Sequence, residues 1–146
     1  IVAMAEALTR ADASRESYNA YCRNLRDRLW TGIRERVPGV LLNGPDPEGD
    51  RLPNNLNVTI AGVQGETVLL SLDMGGVAAS AGSACTTGNT EPSHVLLACG
   101  RSEEEARASL RLTVGRGNSP EEIDEAVDIL VETVERVRTL AGAAAG

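Results

Sequence analysis

The chain has 146 residues, 42% apolar and 24% charged, with a formal net charge of −7. That is one domain's worth of sequence, residues 1–146, long enough to bury a core without a metal or disulfide staple. The acid excess disfavours nucleic acid as a partner, because phosphate binding needs surplus cations, and no apolar run approaches the ~20 residues of a membrane span. All 14 basic residues are Arg, so with no Lys no side chain here can form a Schiff base and no Lys-based phosphate loop can exist.

The predicted elements begin with an Ala-rich helix from Ala3 to about Asp12. Tyr18, Cys22, Leu25, Leu29 and Ile33 then recur at the 3,4 spacing of one apolar helix face, and Pro38-Gly39 stops that helix. Val40-Leu41-Leu42 reads as a short strand. Residues 43–55 hold three prolines and two glycines and read as loop. Leu56 to Ile60 alternates apolar and polar, the pattern of a half-buried strand. Gly65 to Gly75 predicts a helix capped by Gly75-Gly76, and Val77-Ala78-Ala79 a brief strand. Ser80 to Asn89 is small and polar throughout and reads as a loop.

Pro92 near a first turn, Val95, Leu96 and Leu97, and Gly100 as a cap describe a short helix. Ser102 to Glu105 is a capping box for another. Ser109 to Val114 alternates, with Leu110, Leu112 and Val114 inward and Ser109, Arg111 and Thr113 on the other face. Ser119-Pro120-Glu121-Glu122 opens a helix that buries Ile123, Val127, Leu130, Val134 and Val137. The Ala/Gly tail over 141–146 is expected to fray. The order α, α, β, β, α, β, loop, α, α, β, α predicts an α+β fold, a small antiparallel or mixed sheet of three to four strands with helices on one face.

Three cysteines in unlike surroundings fit a reduced, cytoplasmic protein better than a disulfide scaffold. Ile1-Val2-Ala3-Met4 carries no charged leader, and the chain is expected to be the interior of a longer one. Cys22, on its helix stripe, and Cys99, ending Val95-Leu96-Leu97-Ala98, are expected in the core. Cys85 instead sits among Gly, Ser and Thr, where a thiol is a liability unless used, and is a candidate nucleophile. No basic neighbour in sequence activates it: Glu91 is acidic and His94 lies nine residues on. Arg111, mid-strand, presents a planar fork suited to a carboxylate, the alternative being an intramolecular ion pair. His94 is assigned no role. No His/Cys cluster has metal-ligand spacing, and Gly115-Arg116-Gly117 lacks a dinucleotide fingerprint.

Ala81-Gly82-Ser83-Ala84-Cys85-Thr86, Glu91-Pro92-Ser93 and Ser109 to Arg116 resemble the C-terminal part of the cysteine desulfurases, pyridoxal-phosphate enzymes of the class V aminotransferase superfamily. Pro53-Asn54-Asn55-Leu56-Asn57-Val58 and Pro120 to Asp124 resemble the same family in the same order, and Gly-Ser-Ala-Cys resembles its long-cysteine-loop subgroup. The resemblance implies that Cys85 takes sulfur from substrate L-cysteine as a persulfide. It implies that Arg111 grips the substrate carboxylate, and that the Cys85 loop meets a sulfur-acceptor or scaffold protein. It further implies a homodimeric parent with pyridoxal phosphate on a lysine of a larger domain, none of it bound to this chain. Alternatives are a sulfur-carrier or scaffold-docking module and a related selenocysteine or cysteine-sulfinate lyase.

Overall fold

The apolar stripe at Cys22, Leu25, Leu29 and Ile33 buries as its spacing requires, and it turns one long helix against a sheet. The computed structural model describes residues 1–81 and 91–144. In chain order these form α1 (Val2–Ala13), α2 (Arg15–Arg36), β1 (Val40–Leu42), β2 (Asn55–Ile60), α3 (Gly65–Met74), β3 (Ser80–Ala81), α4 (His94–Ala98), α5 (Glu103–Arg107), β4 (Ser109–Thr113) and α6 (Pro120–Ala144). The four strands form one antiparallel sheet in the order β1-β2-β4-β3. The architecture is the predicted α+β fold, with the long helices on one face.

Leu56, Val58 and Ile60 of β2 and Leu110 and Leu112 of β4 meet the apolar faces of α2, α3 and α6. On α6, Ile123, Val127, Leu130, Val134 and Val137 are all buried, each worth about 1.5–3 kcal/mol of transfer free energy. Both predicted capping boxes are present. Ser102 Oγ accepts from Glu105 N while Glu105 Oε2 accepts from Ser102 N, and Ser119 and Glu122 repeat the pattern. Among the described residues no helix is long and apolar enough to cross a membrane.

Three sequence expectations change. The strand expected at Val77-Ala78-Ala79 lies at Ser80–Ala81, because those residues pair with Arg111 and Leu110. Residues 75–77 are spent ending α3 in a Schellman turn, with Gly76 at φ 82°, Gly76 N–H donating to Asp73 and Val77 N–H to Leu72. Cys99 is exposed, not core: a five-residue helix has one buriable face, and Leu96 occupies it. Finally, Thr59 and Ser109 are buried although they point away from the helices, because α5 and Arg101 cover that corner of the polar face.

Arginines order the connections. Arg26 is buried, paired to Asp27, and donates to the carbonyls of Leu52 and Pro47. Arg51 donates to those of Pro45 and Asn43; burial first, then the charge of Arg26, lowers its pKa. The proline-rich 43–55 segment is thereby held from both ends of its carbonyl row.

Candidate functional site

Arg111 lies at the centre of β4 on the face away from the helices, half-buried. The pairing register sets its neighbours: Ser80 of β3 on one side and Asn57 of β2 on the other. Directly opposed residues share a sheet face, with Cβ atoms about 4.5–5.5 Å apart. Arg111 Nη2 donates to Ser80 Oγ at 3.2 Å. Among the described residues Arg111 forms no ion pair with an acid, so the alternative of an intramolecular partner is not what these residues show.

The row continues to Asn43, just past β1, whose backbone N–H donates to Asn57 O at 2.9 Å. Asn43 is buried. Its Nδ2 lies 2.7 Å from Asn57 Oδ1, 3.0 Å from Thr59 Oγ1 and 3.3 Å from Ser109 Oγ, and shares its two hydrogens among them. Its Oδ1 accepts from Arg101 Nε at 2.6 Å. Arg101 also donates to Leu42 O and faces Glu105. The Schellman turn closing α4, with Arg101 N–H on Leu96 O and Gly100 at φ 85°, delivers Arg101 to this position. Ser109 Oγ donates to Glu105 O at 2.7 Å and lies 2.8 Å from Thr59 Oγ1, which is also 3.2 Å from Asn43 Oδ1.

Cys85 lies outside the described residues. It follows Ala81 of β3 by four positions, and β3 is the strand that carries Ser80 against Arg111. His94 is the exposed first residue of α4, and nothing draws it into the row. Ser80, Asn57, Asn43 and Arg101 were missed by sequence reasoning. The alternation through Leu56–Ile60 does place Asn57 on the polar face, but only the strand register puts it opposite Arg111.

An open cleft of about 1150 Å³ lies to one side, lined by Thr59, Ala81, Glu104, Ala108, Val137 and Leu140 among others. Neither Arg111 nor Asn57 lines it. Among the described residues no group of three His, Cys, Asp or Glu could hold a metal ion. The turn after β4 is clasped to α2: Arg116 stacks on Tyr18 at 5.0 Å, and Tyr21 Oη donates to Asn118 O. Its hydrogen bond with Cys22, then burial, raises the Tyr18 pKa.

The family model described as aminotransferase class-V matches residues 1–126, and the chain belongs to that family. It is 43% identical over 140 residues to the cysteine desulfurase IscS of Clostridium botulinum, covering 96% of this chain and 35% of that protein. It is 42% identical over 145 residues to the IscS-like cysteine desulfurase of Mycobacterium tuberculosis, covering 99% of this chain and 37% of that one. The chain thus spans about a third of the length of these curated relatives. Among solved structures, a NifS-like protein from Rickettsia africae superposes with a TM-score of 0.70 at 22% identity, over 84% of this chain and 31% of that one. That likeness carries the fold alone.

Proposed function

We propose that this chain is the C-terminal small domain of a cysteine desulfurase and supplies two parts of its site. Arg111 binds the carboxylate of L-cysteine, and Cys85 accepts the sulfur. The balance is L-cysteine plus the Cys85 thiol giving L-alanine plus the Cys85 persulfide, with no external oxidant. The observation that carries this reading is Arg111: a half-buried guanidinium, held by a hydroxyl and without an acid partner among the described residues, on the strand that pairs with the approach to Cys85. The names of the curated relatives support the reaction class. The persulfide would pass to a sulfur-acceptor or scaffold protein, for iron–sulfur cluster or thio-cofactor assembly, in a soluble cytoplasmic homodimer.

Pyridoxal phosphate does not fit these residues as a covalent guest, since the chain has no Lys. Its anchor belongs to residues outside this sequence, and the chain by itself is expected to be inactive. The test uses these residues joined to a lysine-bearing cofactor domain. With L-cysteine, the Cys85 peptide should gain about 32 Da, reversible by thiol, and alanine should appear. Cys85→Ser should abolish both. Alanine release undiminished in Cys85→Ser would overturn the role of Cys85 and favour a lyase.

A further inference from the structure

The Asn43 network does more than join strands, because the amides of Asn43 and Asn57 can be oriented in only one way. Arg101 is a pure donor. Its Nε sits 2.6 Å from the Asn43 side chain, so the atom it meets must be the amide oxygen. That turns Asn43 Nδ2 toward β2, where it meets Asn57 at 2.7 Å. Asn57 must answer with Oδ1, which leaves its own Nδ2 as the group directed away from Asn43. The ordinary ambiguity of amide orientation is removed twice over by one guanidinium.

Across the register from Asn57 stands Arg111. Among the described residues Asn57 Nδ2 donates to no acceptor. An amide N–H and a guanidinium cannot satisfy each other, since both only donate. A carboxylate offers two oxygens with about four lone-pair sites and can satisfy both.

We infer that Asn57 is a second hydrogen-bond donor to the substrate carboxylate beside Arg111, and that Arg101, through Asn43, is the positioning residue that fixes its polarity. This rests on the desulfurase reading and deepens it. The two donors differ in kind. Arg111 supplies charge, while Asn57 supplies a neutral donor on rigid backbone, mid-strand and tied to the neighbouring strand. A ligand lacking the carboxylate gains nothing from either.

The test is steady-state kinetics of the protein that carries these residues with its cofactor domain. Asn57→Asp keeps the acceptor facing Asn43 and replaces the donor by a negative charge. KM for L-cysteine should rise at least ~10-fold, with kcat held within about threefold. Inhibition by L-alanine should weaken in parallel. Inhibition by cysteamine, which is cysteine without its carboxylate, should not change. Asn57→Ala gives the same pattern at smaller size and serves if Asn57→Asp folds poorly. Arg101→Gln, which lets the Asn43 amide turn, should raise KM a few-fold while leaving cysteamine inhibition alone. An unchanged KM in Asn57→Asp, or cysteamine inhibition weakened as much as that of L-alanine, would overturn the inference. If Arg111→Ala also leaves KM unchanged, the carboxylate reading of the site falls with it. If only Arg111→Ala raises KM, that reading stands and Asn57 has no part in it.

Discussion

Asn43→Ala is the substitution most exposed to refutation on stability grounds. Asn43 is 4% exposed and joins the end of β1 to Asn57, Thr59, Ser109 and Arg101. Truncation does not strand every partner equally. Ser109 keeps the Glu105 carbonyl and Thr59 keeps Ser109, while half-buried Asn57 can reach water. Arg101 keeps Leu42 O through Nη2, but its Nε loses the 2.6 Å acceptor. One charge-assisted bond at about 1.5–3 kcal/mol and one neutral bond at about 1 kcal/mol give a loss of about 2.5–4 kcal/mol. For a chain of this size that is roughly 8–16 °C in Tm. Urea unfolding followed by far-ultraviolet circular dichroism measures it directly. A double-mutant cycle with Arg101→Met should return a coupling of about 1–2 kcal/mol. A loss below about 0.5 kcal/mol, or additivity in the cycle, would show that the network is not the strand tie described.

Gly65→Ala places a Cβ 2.6 Å from the Arg107 carbonyl oxygen, a backbone atom that cannot step aside. It should destabilise by about 1–3 kcal/mol, whereas Gly117→Ala, which meets nothing within 4 Å, should be neutral or stabilise by up to about 1 kcal/mol; thermal melts compare the two. Arg28 holds Asp124 through two 2.6 Å bonds, and this hydrogen bonding lowers the Asp124 pKa below its ordinary 3.8. A depressed folded-state pKa stabilises above the unfolded value and is lost as pH falls through the folded one. Asp124→Asn should therefore be the less stable protein at neutral pH and draw level with the parent as pH falls below 3.8. Both are exposed, so salt should narrow the neutral-pH gap as well. A gap that persists in acid would place the effect in packing rather than charge.

The legible parts of this fold are those written in local periodicity. Both capping boxes and the stripe from Ile123 to Val137 need only residues within one helix, and they stand where the spacing puts them. The strand at Ser80–Ala81 was displaced onto Val77–Ala79 because hydrophobicity favours the latter, while pairing with Arg111 and Leu110 selects the former. Partners 31 positions apart, such as Ser80 and Arg111, leave no local mark. Thr59 and Ser109 read as solvent-facing from alternation alone. Their burial comes from α5 folding back over the polar face, a tertiary event that converts a polar stripe into an internal hydrogen-bond network. Cys99 failed for the opposite reason: an apolar run promised burial that five helical residues cannot deliver on every side.

The excess of Arg over Lys sorts itself by what each guanidinium has to donate to. Arg26 is the most buried, yet it spends its fork on Asp27 and the carbonyls of Leu52 and Pro47. Arg138 donates to Pro38 O and Ala61 O, and Arg28 closes a bidentate pair with Asp124. A lysine could make any one of these bonds as a point charge, but not the planar set. Arg111 differs in kind. It sits on a strand rather than a helix or turn, it faces Asn57 and Ser80 rather than carbonyls, and among the described residues the only bond found for it is the 3.2 Å one to a hydroxyl. A half-buried guanidinium costs desolvation free energy that one neutral hydroxyl does not offset. A bound carboxylate would offset it, and none of the thirteen other arginines sits on a strand.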